Sequence, residues 1–188
     1  NIKLGSTLSN DQFPNDKFHY CLANPPFGKK WEKDQAAVTN ERKEKGFDGR
    51  FGPGLPRIND GSMLFLLHLA SKMEHPEKGG GRVAIVLSGS PLFNGGAGSG
   101  ESEIRRWLLE NDLVEAIIAL PTEIFFRTGI GTYLWILSNK KPESRIGKVQ
   151  LINATSLWVS IKNEGNKRRM ISDDQIRQIA DIYAAAET

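Results

Sequence analysis

Short apolar runs that end in turn residues alternate along this chain with stretches whose apolar positions recur every three or four residues. The runs predict strands at 2–4, 18–23, 82–88, 113–120, 132–138 and 148–153. The internal ones are near-continuous Val, Ile, Leu and Ala, as strands covered on both faces should be. Helical spacing predicts helices at 62–74, 103–110 and 173–186. The first is apolar nearly all round and is stopped by Pro76, and the second carries Ile104, Trp107 and Leu108 on one side. The third opens with Ser172-Asp173-Asp174-Gln175, a capping box, and lines up Ile176, Ile179, Ala180 and Tyr183. Such stripes read as core. Strands alternating with helices form the βαβ pattern, so the sequence predicts one α/β unit with a mostly parallel sheet and helices on both faces.

Residues 28–60 break the pattern. They show little apolar periodicity, combine Lys29, Lys30 and Trp31 with a Gly- and Pro-rich stretch from Gly46 to Gly54, and read as a long loop that either covers a substrate or is a solvated insertion. A second basic region, comprising Lys140, Lys141, Arg145, Lys148, Lys162, Lys167, Arg168 and Arg169, has few acids between its members and is expected to meet phosphate. Gly95-Gly96-Ala97-Gly98-Ser99-Gly100 sits between a strand and a helix. Its distance from Ser88 is too long for a dinucleotide fingerprint, and the next strand lacks an acid at its end for a ribose. Ser99 or Ser102 is expected to cap the helix that follows.

Composition narrows the field modestly. A chain of 188 residues, 39% hydrophobic, is long enough for one good core. A net charge of +3 and a pI near 9.0 are weak evidence for a nucleic-acid partner. Cys21 is the only cysteine, which rules out an internal disulfide and fits a buried thiol in a reducing cytoplasm. No apolar run approaches the roughly 18 residues of a membrane span, and no signal peptide is recognisable. His19, His68 and His75 lack partners at metal-ligand spacing, and no catalytic triad can be read. The first residue is Asn, an apolar run begins at once, and the last residues are still helical, so the sequence is expected to be a piece of a longer chain.

The sharpest chemistry lies in Asn24-Pro25-Pro26-Phe27, directly after the strand at 18–23. Each proline fixes φ near about −65° and donates no hydrogen bond, so the Asn24 amide and the Asn24 and Pro25 carbonyls form a rigid set of acceptors. Such a set suits a planar amino group. The nitrogen lone pair of an exocyclic amine is delocalised into its ring, and acceptors that grip its hydrogens favour a tetrahedral, nucleophilic nitrogen. Phe27 offers a face for a base to stack on. The plain alternative is a strand ended by a Pro-Pro loop.

Further segments carry a family resemblance: Leu92-Phe93-Asn94-Gly95-Gly96, Glu103-Ile104-Arg105-Arg106, and the run from Leu120 to Ile130 with its Phe125-Phe126-Arg127-Thr128-Gly129. With the Asn24 turn, they make the chain resemble the modification subunit of type I restriction-modification systems, a family of N6-adenine DNA methyltransferases. The resemblance implies part of a Rossmann-like class I methyltransferase sheet, with residues 1–155 as the C-terminal part of the catalytic domain and 156–188 as a basic loop and helix packed on it. It implies that Asn24, Pro25, Pro26 and Phe27 form the catalytic turn, and that Phe125, with Phe126 as the other candidate, stacks on the second face of a flipped adenine. S-adenosylmethionine is the implied cofactor, with Ser6 near its adenine. DNA is the implied substrate, contacted by Lys29, Lys30, Lys167, Arg168 and Arg169, and the implied partners are a specificity and a restriction subunit.

Two positions depart from the family. It usually shows Asp where His19 stands and near Ser6. Its glycine-rich cofactor loop and ribose-binding acid belong upstream of Asn1, so these 188 residues alone are expected to bind the cofactor very weakly and to be inactive. The rival functions are methylation of another amino group, a glutamine amide or guanine N2, and a non-catalytic DNA-binding or assembly module.

Overall fold

The computed structural model describes residues 2–126, 128–164 and 167–186. Strands β1 (Tyr20–Ala23), β2 (Arg82–Ser88), β3 (Val114–Leu120), β4 (Thr132–Ser138) and β5 (Gln150–Asn153) form one sheet in the order β1-β2-β4-β3-β5. β1 runs parallel to β2 and β3 parallel to β5, while β4 is antiparallel to both its neighbours. The reason lies in the connections. Parallel neighbours need a crossover, usually helical, whereas β3 passes to β4 through a short loop with no helix among its described residues and comes back antiparallel. Four of these five strands therefore share a direction, and the sheet is mostly parallel.

Helices α1 (Gln35–Lys45), α2 (Ser62–Ser71), α3 (Ser90–Phe93), α4 (Gly100–Glu110) and α5 (Asp173–Ala185) surround it. On one face Val83, Ile85, Leu87, Trp135 and Leu137 join Leu64 and Leu67 of α2 and Ile104 and Leu108 of α4 in a buried cluster. On the other, Ile118, Leu120 and Ile152 pack with Ile179 and Tyr183 of α5. Both expected caps form: Ser99 accepts from the Ser102 amide, and Ser172 and Gln175 close a capping box.

Four expectations change. Residues 2–4 are not a strand: Ile2 and Leu4 are fully exposed, and no strand among the described residues lies beside them to supply a ladder. Helix α2 ends at Ser71, before Glu74, because the Lys72 carbonyl and the Glu74 amide are taken by the backbone of Phe18 at 2.8 and 2.9 Å. The supposed loop at 28–60 is ordered around α1, with Trp31, Val38 and Phe51 buried. Its periodic signal is faint because α1 buries only Val38 and is instead fastened by Arg50, whose guanidinium meets Glu41 at 2.5 Å and donates to the Thr7 and Leu8 carbonyls. An antiparallel pair of β6 (Val159–Glu164) and β7 (Lys167–Met170) precedes α5; β6 interleaves Val159 and Ile161 with polar residues and β7 is Lys-Arg-Arg-Met, so neither carries an apolar run.

The glycine loop before α4 also acquires a packing role. A Cβ at Gly100 would stand 1.7 Å from the Leu55 carbonyl oxygen, so glycine there allows α4 to lie directly on the 51–56 segment.

Candidate active site

Asn24-Pro25-Pro26-Phe27 leaves the carboxyl end of β1, beside the carboxyl end of β2, where Ser88 pairs with Thr132 of β4. Open α/β sheets place ligands at this end of their strands. Asn24 and Pro26 are exposed, and Pro25 and Phe27 half-buried. The amide side chain of Asn24 has no hydrogen-bond partner among the described residues. The chain leaving the turn is fastened at once: the Lys29 carbonyl accepts from the Gly61 amide at 2.9 Å, the Trp31 amide donates to the Ile58 carbonyl at 3.2 Å, and Trp31 Nε1 donates to the Arg57 carbonyl at 3.0 Å. Buried Trp31 thus fastens the exit of the Pro-Pro segment to residues 57–61 next to the site.

A cavity of about 560 Å³ opens beside the turn, with Phe27, Arg57, Asp60, Ser88, Phe126 and Thr128 in its wall. Its volume suits a small planar ligand. Asp60 braces the floor: its carboxylate accepts from the Ser62 amide at 3.0 Å, from the Ser62 hydroxyl at 2.6 Å, and from the Ser90 hydroxyl, tying α2 to α3.

The two phenylalanines differ in placement. Phe125 is half-buried with the Ile118 cluster and meets Phe27 edge to face, ring centroids 5.9 Å apart and planes at 66°. A base sandwiched between two rings needs parallel planes about 7 Å apart, twice the roughly 3.4 Å stacking rise. No such gap separates Phe27 from Phe125. Phe126 is 61% exposed, in the cavity wall, with Lys167 Nζ 5.0 Å from its ring centre.

The antiparallel pair of β6 and β7 is clasped to this loop. The Arg168 and Arg169 amides both donate to the Glu123 carbonyl, at 3.0 and 3.2 Å, and Arg169 donates to Thr122 Oγ1 at 3.0 Å. Arg169 also lies 3.6 Å from the Glu123 carboxylate and 4.0 Å over the Trp158 ring. Glu123 has φ +62°, a left-handed conformation that costs a side-chain-bearing residue about 1–2 kcal/mol and is held by these contacts.

Of the bases expected to meet DNA, Lys29 and Arg168 are exposed, and Lys30 shares only a solvent-exposed pair with Glu32 at 3.6 Å. Arg169 is committed internally. The wider basic region does not form one surface. Ser138 pairs with Arg82 and Thr132 with Ser88, so Lys140 and Lys141 follow β4 at the end of the sheet opposite Phe27. There Lys141 is buried against Asp112 at 2.5 Å, and Arg145 against Glu115 at 3.5 Å, with its guanidinium over the Tyr183 ring. Burial pushes the Tyr183 phenol up, and the Glu115 carboxylate adds to the shift. These bases fasten α5 and the β5 edge, because a buried charge must find a partner.

Ser6 is exposed in a turn closed by its carbonyl and the Asn10 amide. Its neighbours Gly5 and Thr7 line a separate cleft of about 250 Å³ with Tyr20 and Leu22 of β1. Arg127 lies outside the described residues. Sequence reasoning missed Arg57, Asp60 and Ser88. Asn59-Asp60-Gly61-Ser62 before an apolar helix was the available sign, an Asx turn feeding a helix start.

The family described as N-6 DNA Methylase matches residues 1–188. The chain is 28% identical over 188 residues to the type I restriction enzyme MjaIX methylase subunit of Methanocaldococcus jannaschii, covering all of this chain and 31% of that protein. It is 33% identical over 131 residues to the EcoKI methylase subunit of Escherichia coli K12, covering 70% of this chain and 21% of that one. The crystal structure of a type I restriction-modification system methyltransferase subunit from Streptococcus thermophilus superposes with a TM-score of 0.75 at 30% identity, over 97% of this chain and 35% of that one. The chain thus spans about a third or less of the length of these relatives. With the α/β sheet, the Pro-Pro turn at its carboxyl edge and a match across every residue, the chain belongs to the N-6 DNA methylase family.

Proposed function

We propose that the protein containing this chain methylates adenine N6 in DNA, with S-adenosylmethionine as donor, as the modification subunit of a cytoplasmic type I restriction-modification complex. The observation that carries the reading is that Phe27, the last residue of the Asn24 turn, walls a cavity together with Phe126 in a member of this family. Duplex DNA hides adenine N6 within the stack, so the base must be extruded into such a cavity. Asn24 and Pro25 hold the amino hydrogens by their oxygens. Phe27 and Phe126 offer the base their faces, while Phe125 braces Phe27 from the edge. The cofactor, when bound, supplies an electrophilic methyl group on sulfur. The N6 lone pair, freed by the acceptors, would take this methyl group as its bond to sulfur breaks and the neutral thioether of S-adenosylhomocysteine leaves, and the surplus proton would pass to solvent. No strong base is needed, and the contribution of the turn is orientation and electrostatic activation. Ser6 is assigned to the cofactor's adenine, and Lys29, Lys30, Lys167 and Arg168 to phosphates.

The test uses the intact methyltransferase with its partner subunits. Mass spectrometry of the product nucleosides should find N6-methyladenine. Asn24→Ala should lower turnover by about two to four orders of magnitude at nearly unchanged DNA affinity. Methylated guanine or a methylated glutamine amide in place of methyladenine would move the substrate. Absence of turnover, with DNA binding indifferent to Asn24→Ala, would leave an assembly module.

A further inference from the structure

Arg57 is fixed by its backbone and left free at its side chain. Its amide donates to Oε1 of buried Glu101 at 2.9 Å, and its carbonyl accepts from Nε1 of buried Trp31 at 3.0 Å. Two buried polar side chains, one from α4 and one from the chain leaving the Phe27 turn, are thus committed to the main chain of a single residue. Arg57 is exposed, its side chain makes no ion pair among the described residues, and the residue lines the cavity shared by Phe27 and Phe126. The carboxylate of Asp60 in the same wall makes no ion pair with it and is engaged instead by Ser62 and Ser90. A rigidly based, unpaired guanidinium beside an aromatic cavity is a recognition group without its ligand.

The chemistry of that ligand follows from the fork. A guanidinium presents planar, parallel N–H donors that match two oxygens of one phosphate, a geometry that lysine lacks. A nucleotide that sends its base into this cavity must carry its own backbone phosphates past the rim. We propose that Arg57 grips the phosphate flanking the extruded nucleotide and so holds the base between the aromatic rings. The proposal rests on the reading that the cavity receives a DNA base. The cation sits where the backbone must turn away from the duplex, which makes Arg57 a binding group for the flipped state above all.

The experiment compares the wild-type methyltransferase complex with Arg57→Gln, Arg57→Lys and Asn24→Ala. DNA affinity is measured against salt, extrusion by the fluorescence of 2-aminopurine at the target adenine, and KM separately for DNA and for S-adenosylmethionine. Arg57→Gln should flatten the salt dependence by about one unit and raise KM for DNA about tenfold, with KM for the cofactor unchanged. Arg57→Lys should restore the salt slope but only part of the 2-aminopurine signal. Melting temperatures should stay at the wild-type value, because the guanidinium makes no hydrogen bond or ion pair among the described residues. An unchanged slope and KM for DNA in Arg57→Gln, or a rise confined to KM for the cofactor, overturns the proposal. If Arg57→Gln behaves as wild type while Asn24→Ala abolishes turnover, the Arg57 assignment fails and the base-cavity reading stands. Wild-type turnover in Asn24→Ala sinks that reading itself.

Discussion

Exchanging Phe126 and Phe125 for alanine, one at a time, separates stacking from support. Phe126 is 61% exposed, so folding has removed only about two fifths of its surface from water. A fully buried Phe side chain is worth about 1.5–3 kcal/mol, so its burial here contributes about 0.6–1.2 kcal/mol. The contact with half-buried Lys167 adds about 0.5 kcal/mol. Phe126→Ala should therefore destabilise the fold by no more than about 2 kcal/mol. Stacking of a base on an aromatic ring is worth about 1–3 kcal/mol, so the same variant should lose about five- to 150-fold in kcat/KM for DNA and most of the 2-aminopurine signal. Phe125 packs into the Ile118 cluster and against Phe27, so Phe125→Ala should cost about 2–4 kcal/mol of stability. Phe125→Leu, which keeps most of that volume, should methylate within a few-fold of wild type. Methylation, fluorescence and urea unfolding on the intact enzyme give all the readouts. Wild-type extrusion in Phe126→Ala, with extrusion lost in a well-folded Phe125→Leu, would refute the assignment and make Phe125 the stacking ring.

Other expectations follow from single contacts. Gly100→Ala puts a methyl group against the Leu55 carbonyl and should destabilise by about 3 kcal/mol or more; an unchanged urea midpoint would mean that α4 can shift freely. Burial, then the Arg50 guanidinium 3.1 Å away, holds the His68 pKa down to about 4. Because this lies below the unfolded value near 6.5, the native state binds fewer protons, and up to about 3 kcal/mol of stability is lost as pH falls from 6.5 to 4. His68→Gln should remove that part of the pH dependence, and an identical slope in the variant would show that His68 does not cause it. Neutralising Lys140 and Lys148, with Lys140 following β4 away from the cavity, should leave the salt dependence of DNA binding unchanged, whereas Arg168→Gln should flatten it by about one unit. The reverse result would place the DNA at the other end of the sheet.

The apolar runs of β2 and β4 and the capping box of α5 were legible in the sequence because local forces decide them. A run of Val, Ile and Leu buries itself wherever a sheet forms, and Ser172 meets the Gln175 amide within its own turn. The end of β1 before Asn24-Pro25-Pro26 was legible for the same reason, since the proline constraint on the backbone is intrinsic. What the residues lacked was long-range information. The helix of the 28–60 segment, the burial of Trp31 and Phe51, and the choice of Phe126 over Phe125 for the cavity depend on partners far along the chain, and no local period records them. Charge shows the limit best. Lys141, Arg145 and Arg169 looked like free cations in a basic region, yet Asp112, Glu115 and Glu123 claim them once the sheet brings those acids close. Arg57, one basic residue among many in the sequence, is left unpaired among the described residues. Only the tertiary structure could decide which cations the fold pairs and which it leaves without an acid among the described residues, because an acid meets its partner by distance in space and not along the chain.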